Sequence, residues 1–321
     1  MNIGVIGSGF IVDTFIATSK QIKDFKLYAI WGRHKEKLIK FENEFKYYTT
    51  DLDKILNDEN IDVIYVALPN SLHYEYAMKA LKHGKHVIVE KPFTVYYKDA
   101  KKLIDYADKN NLIVFEAITT LHNPLYHKMQ KLVDKLGDIK IVEANFSQYS
   151  RRYDRFKKGE ILPVFDKKLA GGALLDLNVY NIHFVVSIFG KPKKVQYYPN
   201  MQKGVDTSGV LILDYGSFKA SLTASKDCSS DNHVVIQGDK GYLRCNTTSS
   251  ICGAYTLALN GFDKQDYIKQ NKEFGAWIYE MKVFNSLYKK NDLVKAKEYN
   301  KQTLLVARIL DDALNSANLK Y

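Results

Sequence analysis

The chain has 321 residues, of which 46% are hydrophobic and 26% charged, a length that suits two domains and a balance that suits a globular protein with a sizeable core. Its three cysteines, Cys228, Cys245 and Cys252, form no CxxC spacing, which argues against a disulfide framework or a cysteine zinc site and suits a reducing cytosol. The net charge of +11 invites a nucleic-acid partner, but the lysines are scattered and interleaved with acids, as at Lys23-Asp24 and Lys98-Asp99, whereas a nucleic-acid footprint clusters on one element.

The sequence enters an apolar run at Asn2 without the basic region, apolar stretch and cleavage site of a signal peptide. Strand patterns at 2–7, 26–31, 63–68, 86–90 and 112–115 are continuously apolar or β-branched, as in parallel strands covered on both faces. Helical patterns at 10–23, 36–45, 71–83 and 98–110 separate them. This alternation predicts an α/β fold, a Rossmann-type doubly wound parallel sheet occupying residues 1–120.

Beyond residue 120 the character changes. A helix at 124–136 leads into alternating segments at 139–149, 194–198, 208–215, 218–225, 233–237 and 241–245, with helices at 172–189, 274–289 and 300–315. The pattern predicts an α+β domain over 121–321 with an open, mainly antiparallel sheet. The longest apolar run, 173–190, carries Asp176, Asn178 and His183 and reads as a buried helix rather than a membrane span. A cytoplasmic protein with no membrane partner is the expectation.

Gly7-Ser8-Gly9-Phe10-Ile11-Val12 follows the first strand and opens the first helix. The first glycine permits the tight turn, the second lets backbone N–H groups approach a pyrophosphate, and the helix N-terminus adds positive potential. Val12 stands where the dinucleotide fingerprint has its third glycine. At the end of the second strand, where an acid would read the ribose hydroxyl of NAD, stand Arg33 and His34. An arginine there pairs with a 2′-phosphate, so NADP is expected ahead of NAD; the plainer reading is that Arg33 faces solvent. Leu68-Pro69-Asn70 and His73 fall where ligands of open α/β sheets bind, and Glu90-Lys91-Pro92 follows the next strand, with Pro92 restricting the backbone of Lys91.

These motifs, together with Gly171-Gly172-Ala173-Leu174-Leu175-Asp176-Leu177-Asn178-Val179-Tyr180, Gly204-Val205-Asp206 and a late Glu280…Phe284 helix, resemble the Gfo/Idh/MocA family across nearly the whole chain. The nearest likeness is to its dimeric dihydrodiol dehydrogenase-like branch. The resemblance implies an N-terminal Rossmann domain, a C-terminal open sheet used for dimerisation or a higher homo-oligomer, and a nicotinamide cofactor in the cleft between the domains. It places the family's catalytic lysine on Lys91, its helix aspartate on Asp176 and its acid/base on Tyr180. Asn178, where the family commonly has glycine, and His183 depart from its pattern.

The residues support the same set. Asp176 and Tyr180 are four apart on a helix and share a face, with His183 near the same stripe. Oxidising an alcohol needs a base for the hydroxyl proton while hydride leaves carbon. A tyrosine ordinarily titrates near ~10, and an ammonium such as that of Lys91 favours its phenolate. His183 is the rival acid/base, histidine being the side-chain type whose ordinary titration falls closest to working pH. Arg151, Arg152 and Arg155 form a local cluster read either as a carboxylate or phosphate clamp or as a solvated loop, and His122 and Asn123 are further pocket candidates. No metal-ligand spacing stands out. The expected activity is oxidoreduction of a CH–OH group on a sugar or polyol, the alternative being a non-catalytic NAD(P)-binding redox sensor of the same fold.

Overall fold

The structure, a computed structural model, describes residues 1–268 and 277–321. Its residues separate into two units, 1–117 with 277–304 and 118–276 with 305–321.

In the first unit, β1 (Asn2–Ile6), α1 (Phe10–Ser19), β2 (Lys26–Trp31), α2 (Lys35–Leu38), β3 (Tyr47–Thr49), α3 (Leu52–Leu56), β4 (Val63–Val66), α4 (His73–Lys82), β5 (His86–Glu90), α5 (Tyr97–Lys109) and β6 (Val114–Ala117) follow one another. The six strands are all parallel, in the order β3-β2-β1-β4-β5-β6. Strand order reverses between β1 and β4, so the loops leaving β1, β4 and β5 meet at the sheet edge where such folds bind ligands. The β4 side chains are buried on both faces, which is why its sequence is continuously apolar.

The second unit begins with α6 (Thr119–His122) and α7 (Pro124–Leu132), then β7 (Ile139–Ser147) and α8 (Tyr153–Lys157). A wide, π-type turn over Leu174–Asn178 runs into α9 (Val179–Phe189). Next come β8 (Lys194–Gln202), β9 (Val205–Asp214), β10 (Lys219–Ser225), β11 (His233–Gly238), β12 (Gly241–Cys245), β13 (Ala254–Leu259) and β14 (Gln265–Ile268). They form one eight-stranded sheet ordered β14-β13-β12-β11-β7-β10-β9-β8, antiparallel except where β7 runs parallel to β10. The apolar run expected as a buried helix is one: the stretch Lys167–Phe189 is long and apolar enough to cross a membrane by composition, and 78% of its most apolar window is buried within the protein.

The remaining helices are α10 (Trp277–Lys290) and α11 (Leu293–Ser316). The expected helix at 274–289 is present from Trp277; its first three positions lie outside the described residues. A single division near residue 120 needs correction here. The first cut falls at Ala117, but Trp277–Leu304 belongs with the first unit. The reason is packing: Ile278, Met281, Phe284 and Leu287, at three-residue spacing on α10, join the core cluster of Val5, Val12, Phe15 and Tyr65. Val12 is therefore spent on that core, with none of its surface exposed, and its side chain does not reach into the glycine turn.

Candidate functional site

The glycine turn fits a pyrophosphate. Gly7 has φ +130°, and a Cβ there would overlap the carbonyl of Ala67, so only glycine passes. Gly9 precedes α1 without any side-chain cap, and a Cβ built on it meets nothing within 4 Å. Its backbone is bare, and the first N–H groups of α1, from Phe10 and Ile11, lack intrahelical partners by helix geometry. Ser8 lies beside the end of β2, because a Cβ on Gly32 would be 3.4 Å from its hydroxyl. Arg33 and His34 follow, both exposed, with His34 Nδ1 3.4 Å from Glu36.

Across the switch point, Pro69 leads into a short turn over Asn70–Leu72, with Leu68, Pro69 and Asn70 half-buried. His73 is buried, and both ring nitrogens are engaged by backbone carbonyls, those of Pro92 and Leu68, each at 2.8 Å. Burial holds its pKa below the ordinary histidine value. The ring thus acts on the loops rather than on a ligand directly. Glu90 is also turned inward, accepting a 2.5 Å hydrogen bond from the Tyr65 hydroxyl, and burial pushes its pKa up to about 7. Lys91, half-buried, is the ionisable group of this triplet that keeps access to solvent.

Two further acids of this unit are buried, Glu116, which the sequence reading did not single out, and Glu280, which it named only as part of a helix motif. Glu116 on β6 is 4% exposed and Glu280 on α10 is 1% exposed. Among the described residues, neither carboxylate oxygen of Glu280 has a hydrogen-bond partner. Burial, then the charges of Glu90 and Glu116, raise its pKa well above the carboxylic range. A legible signal existed: an acid four residues before Phe284, inside an apolar helical stripe. The folded chain keeps the Glu280 proton after the unfolded chain has lost it, so this group lowers stability increasingly as pH rises above the unfolded carboxyl value of about 4.5. Glu280→Gln is therefore expected to flatten the fall in Tm between pH 5 and pH 8, by a few degrees at the upper end. Parallel melting curves for the two proteins across that range would exclude the assignment.

In the second unit the predicted helix residues come together with a partner that was missed. Asp176 forms a close ion pair with Lys226, which follows β10 and is 4% exposed. The lysine on which Asp176 is held is thus Lys226, within its own unit. Lys226 is fixed in turn by a 2.8 Å bond from its amide to Thr207 O, and its ammonium lies 5.7 Å from the centre of the Phe165 ring. Asp176 lies within the wide π-type turn, a distortion that concentrates at functional sites. Tyr180 is 8% exposed and its ring sits 5.9 Å from that of Phe146.

His183 is completely buried, and His122 beside it is held down to about 3, by burial first and then by the charges of His127 and His183. Asn178 turns inward: its amide donates to Leu222 O at 3.0 Å and its oxygen accepts from Asn181. These two bonds tie the helix to β10 and to its own next turn through the Asn178 side chain. Asn123 caps α7 and donates to Ile251 O at 2.6 Å. Of the arginine cluster, Arg155 is paired with Glu160, while Arg151 and Arg152 stay exposed. Among the described residues, no group of three or more His, Cys, Asp or Glu side chains could hold a metal ion.

One carboxylate organises the entry to this helix. Asp206 is fully buried, accepts from Leu174 N and Tyr197 Oη at 2.7 Å each, and accepts from Tyr321 Oη at 2.9 Å. A Cβ on Gly172, at φ +133°, would overlap its Oδ1. The Gly171-Gly172 and Gly204-Val205-Asp206 motifs are therefore two halves of one joint.

Known proteins carry the same pattern. Residues 1–118 match the Gfo/Idh/MocA description "oxidoreductase family, NAD-binding Rossmann fold", and 126–244 match that family's C-terminal domain. A scyllo-inositol 2-dehydrogenase (NADP(+)) of Bacillus subtilis is 32% identical over 99% of this chain and 97% of its own. A trans-1,2-dihydrobenzene-1,2-diol dehydrogenase of Xenopus tropicalis is 27% identical over 99% of this chain and 98% of its own. In fold, a 3-ketoreductase from Actinomadura kijaniata, crystallised with NADP, superposes with a TM-score of 0.83 at 21% identity over 98% of this chain and 97% of its own. On the full-length similarity to the first of these and on both matched domains, the chain belongs to the Gfo/Idh/MocA family of oxidoreductases.

Proposed function

We propose that this chain is an NADP-preferring oxidoreductase that interconverts a hydroxyl and a carbonyl on a sugar, polyol or similar small molecule. The observation that carries the reading is the placement, at the carboxyl ends of the two strands that flank β4, of a glycine turn built for a pyrophosphate after β1 and Lys91 after β5. The bare Gly9 backbone and the start of α1 hold the pyrophosphate, and the exposed Arg33 meets the 2′-phosphate. A bound nicotinamide supplies the hydride acceptor or donor.

Lys91 places positive charge at the substrate oxygen, and Tyr180 exchanges the hydroxyl proton. Asp176, held in place by its ion pair with Lys226, orients the substrate. Tyr180 is preferred to His183 because the latter has no exposed surface at all. NADP-named relatives support the cofactor preference, and a polyol dehydrogenase among them supports the substrate class. We further read the chain as cytoplasmic, in keeping with three free cysteines, and as a homodimer through the outer sheet face, where Ile141 and Tyr198 are exposed; sedimentation of the purified chain tests the latter.

NADPH is expected to raise Tm more than NADH at equal concentration, and Arg33→Ala to weaken NADPH binding about tenfold while leaving NADH nearly unchanged. Equal stabilisation by both cofactors, or an Arg33→Ala variant that keeps its preference, would refute the NADP assignment. A screen of sugars and polyols followed by absorbance at 340 nm decides the substrate class.

A further inference from the structure

The peptide group that follows Lys91-Pro92 is gripped at both ends by buried ionisable side chains. Its oxygen, Pro92 O, lies 2.8 Å from His73 Nδ1. Its nitrogen, Phe93 N, donates to Glu116 Oε1 at 3.1 Å. A peptide group is planar, so holding its oxygen and its N–H fixes the whole plane and with it the exit direction of the preceding residues. Each holder is itself anchored. Glu116 Oε2 accepts from Thr303 Oγ1 at 2.8 Å, and His73 Nε2 lies 2.8 Å from Leu68 O in the loop after β4. His73 is 1%, Glu116 4% and Thr303 3% exposed.

Burying a carboxylate and an imidazole is unfavourable unless their polar atoms are satisfied, and an apolar pair would fill the same space without that penalty. Both carbonyls around His73 only accept, so a ring bearing one proton donates to one of them and the imidazolium to both. The arrangement serves direction more than stability.

We propose that His73 and Glu116 are positioning residues for Lys91, clamping the 92–93 peptide plane so that the lysine is presented in one orientation. Through Leu68, the clamp also joins the Lys91 turn to the loop that follows β4, so the two move as one piece. This inference rests on the reading of Lys91 as catalytic.

The test uses the purified full-length chain with NADP and scyllo-inositol, together with a measurement that needs no substrate: the acylation rate of Lys91 by acetic anhydride, followed by mass spectrometry of its peptide. Glu116→Ala and His73→Ala are expected to lower kcat about tenfold or more and to change the Lys91 acylation rate about threefold, with NADPH affinity within about threefold of the parent. Glu116→Gln keeps an oxygen for the Phe93 N–H and is expected to restore most of both. Unchanged kcat and acylation in Glu116→Ala overturn the proposal, as does a loss that merely parallels lost NADPH binding and lowered Tm. Full turnover by Lys91→Met would instead overturn the reading on which the clamp rests. If scyllo-inositol is not turned over, the acylation rates alone decide the clamp.

Discussion

Lys91→Met is expected to lower kcat by roughly 10²–10³-fold and Tyr180→Phe by roughly 10²–10⁴-fold, with NADPH still bound within about threefold of the parent affinity. The asymmetry follows from where the residues sit. On the proposed reading the dinucleotide sits on the Gly7–Gly9 backbone and the start of α1, which neither substitution touches. Lys91 loses a charge needed most when the substrate oxygen becomes negative, so its removal acts on turnover more than on binding. The double variant is the sharper measurement. If the two side chains serve one step, their combined loss is far smaller than the product of the single losses. A fully multiplicative loss would separate their roles, and an active Tyr180→Phe would move proton transfer to His183.

Asp206→Ala is the substitution with the largest expected effect on stability, about 3 kcal/mol or more. It strands the buried Leu174 N and Tyr197 hydroxyl and removes one acceptor from the half-buried Tyr321 hydroxyl. Asp206→Asn keeps one acceptor oxygen and should lose about half as much. Denaturant unfolding of the three proteins reads this directly. A loss below about 1 kcal/mol for Asp206→Ala would mean that the joint holding Gly172 and Leu174 is not under load. The damage should also reach turnover, because Asp176 lies two residues beyond Leu174.

Legibility along the sequence followed burial. The strands β1, β4 and β5 are buried on both faces for most of their length and β2 over its last three residues, and their apolar runs marked them to within two residues. Two of the edge strands gave no such mark. β3 is three half-buried residues, and β14 is exposed throughout, so neither has a pattern distinct from a loop. β13 follows Cys252, whose φ of +45° signals a turn that its residue type does not announce.

The candidate site divides in the same way. Gly7 and Gly172 were readable because geometry admits only glycine there, and Gly9 through its place in the turn motif, since a Cβ on it would meet no neighbour. The partners of the site residues were not. Lys226 stands fifty positions from Asp176, and Thr303 stands 187 from Glu116. Such pairings are made by sheet topology, which no local spacing encodes. Composition likewise could not show that α10 returns to the first core, although the stripe Ile278, Met281, Phe284 and Leu287 announced that it had to be buried somewhere.

The parallel pairing of β7 with β10 sets an order of assembly. β8, β9 and β10 form one antiparallel meander, and β11, β12 and β13 another, each closed by short connections. Joining them requires β7 to bridge β10 and β11, and the segment between β7 and β10 contains the helix of Asp176 and Tyr180. That ring of chain closes only after both meanders exist, since a long loop loses entropy before its contacts repay it. The helix of Asp176 and Tyr180 is then expected to be the last large piece to be locked down, and a refolding chain should regain β-sheet circular dichroism before it regains turnover.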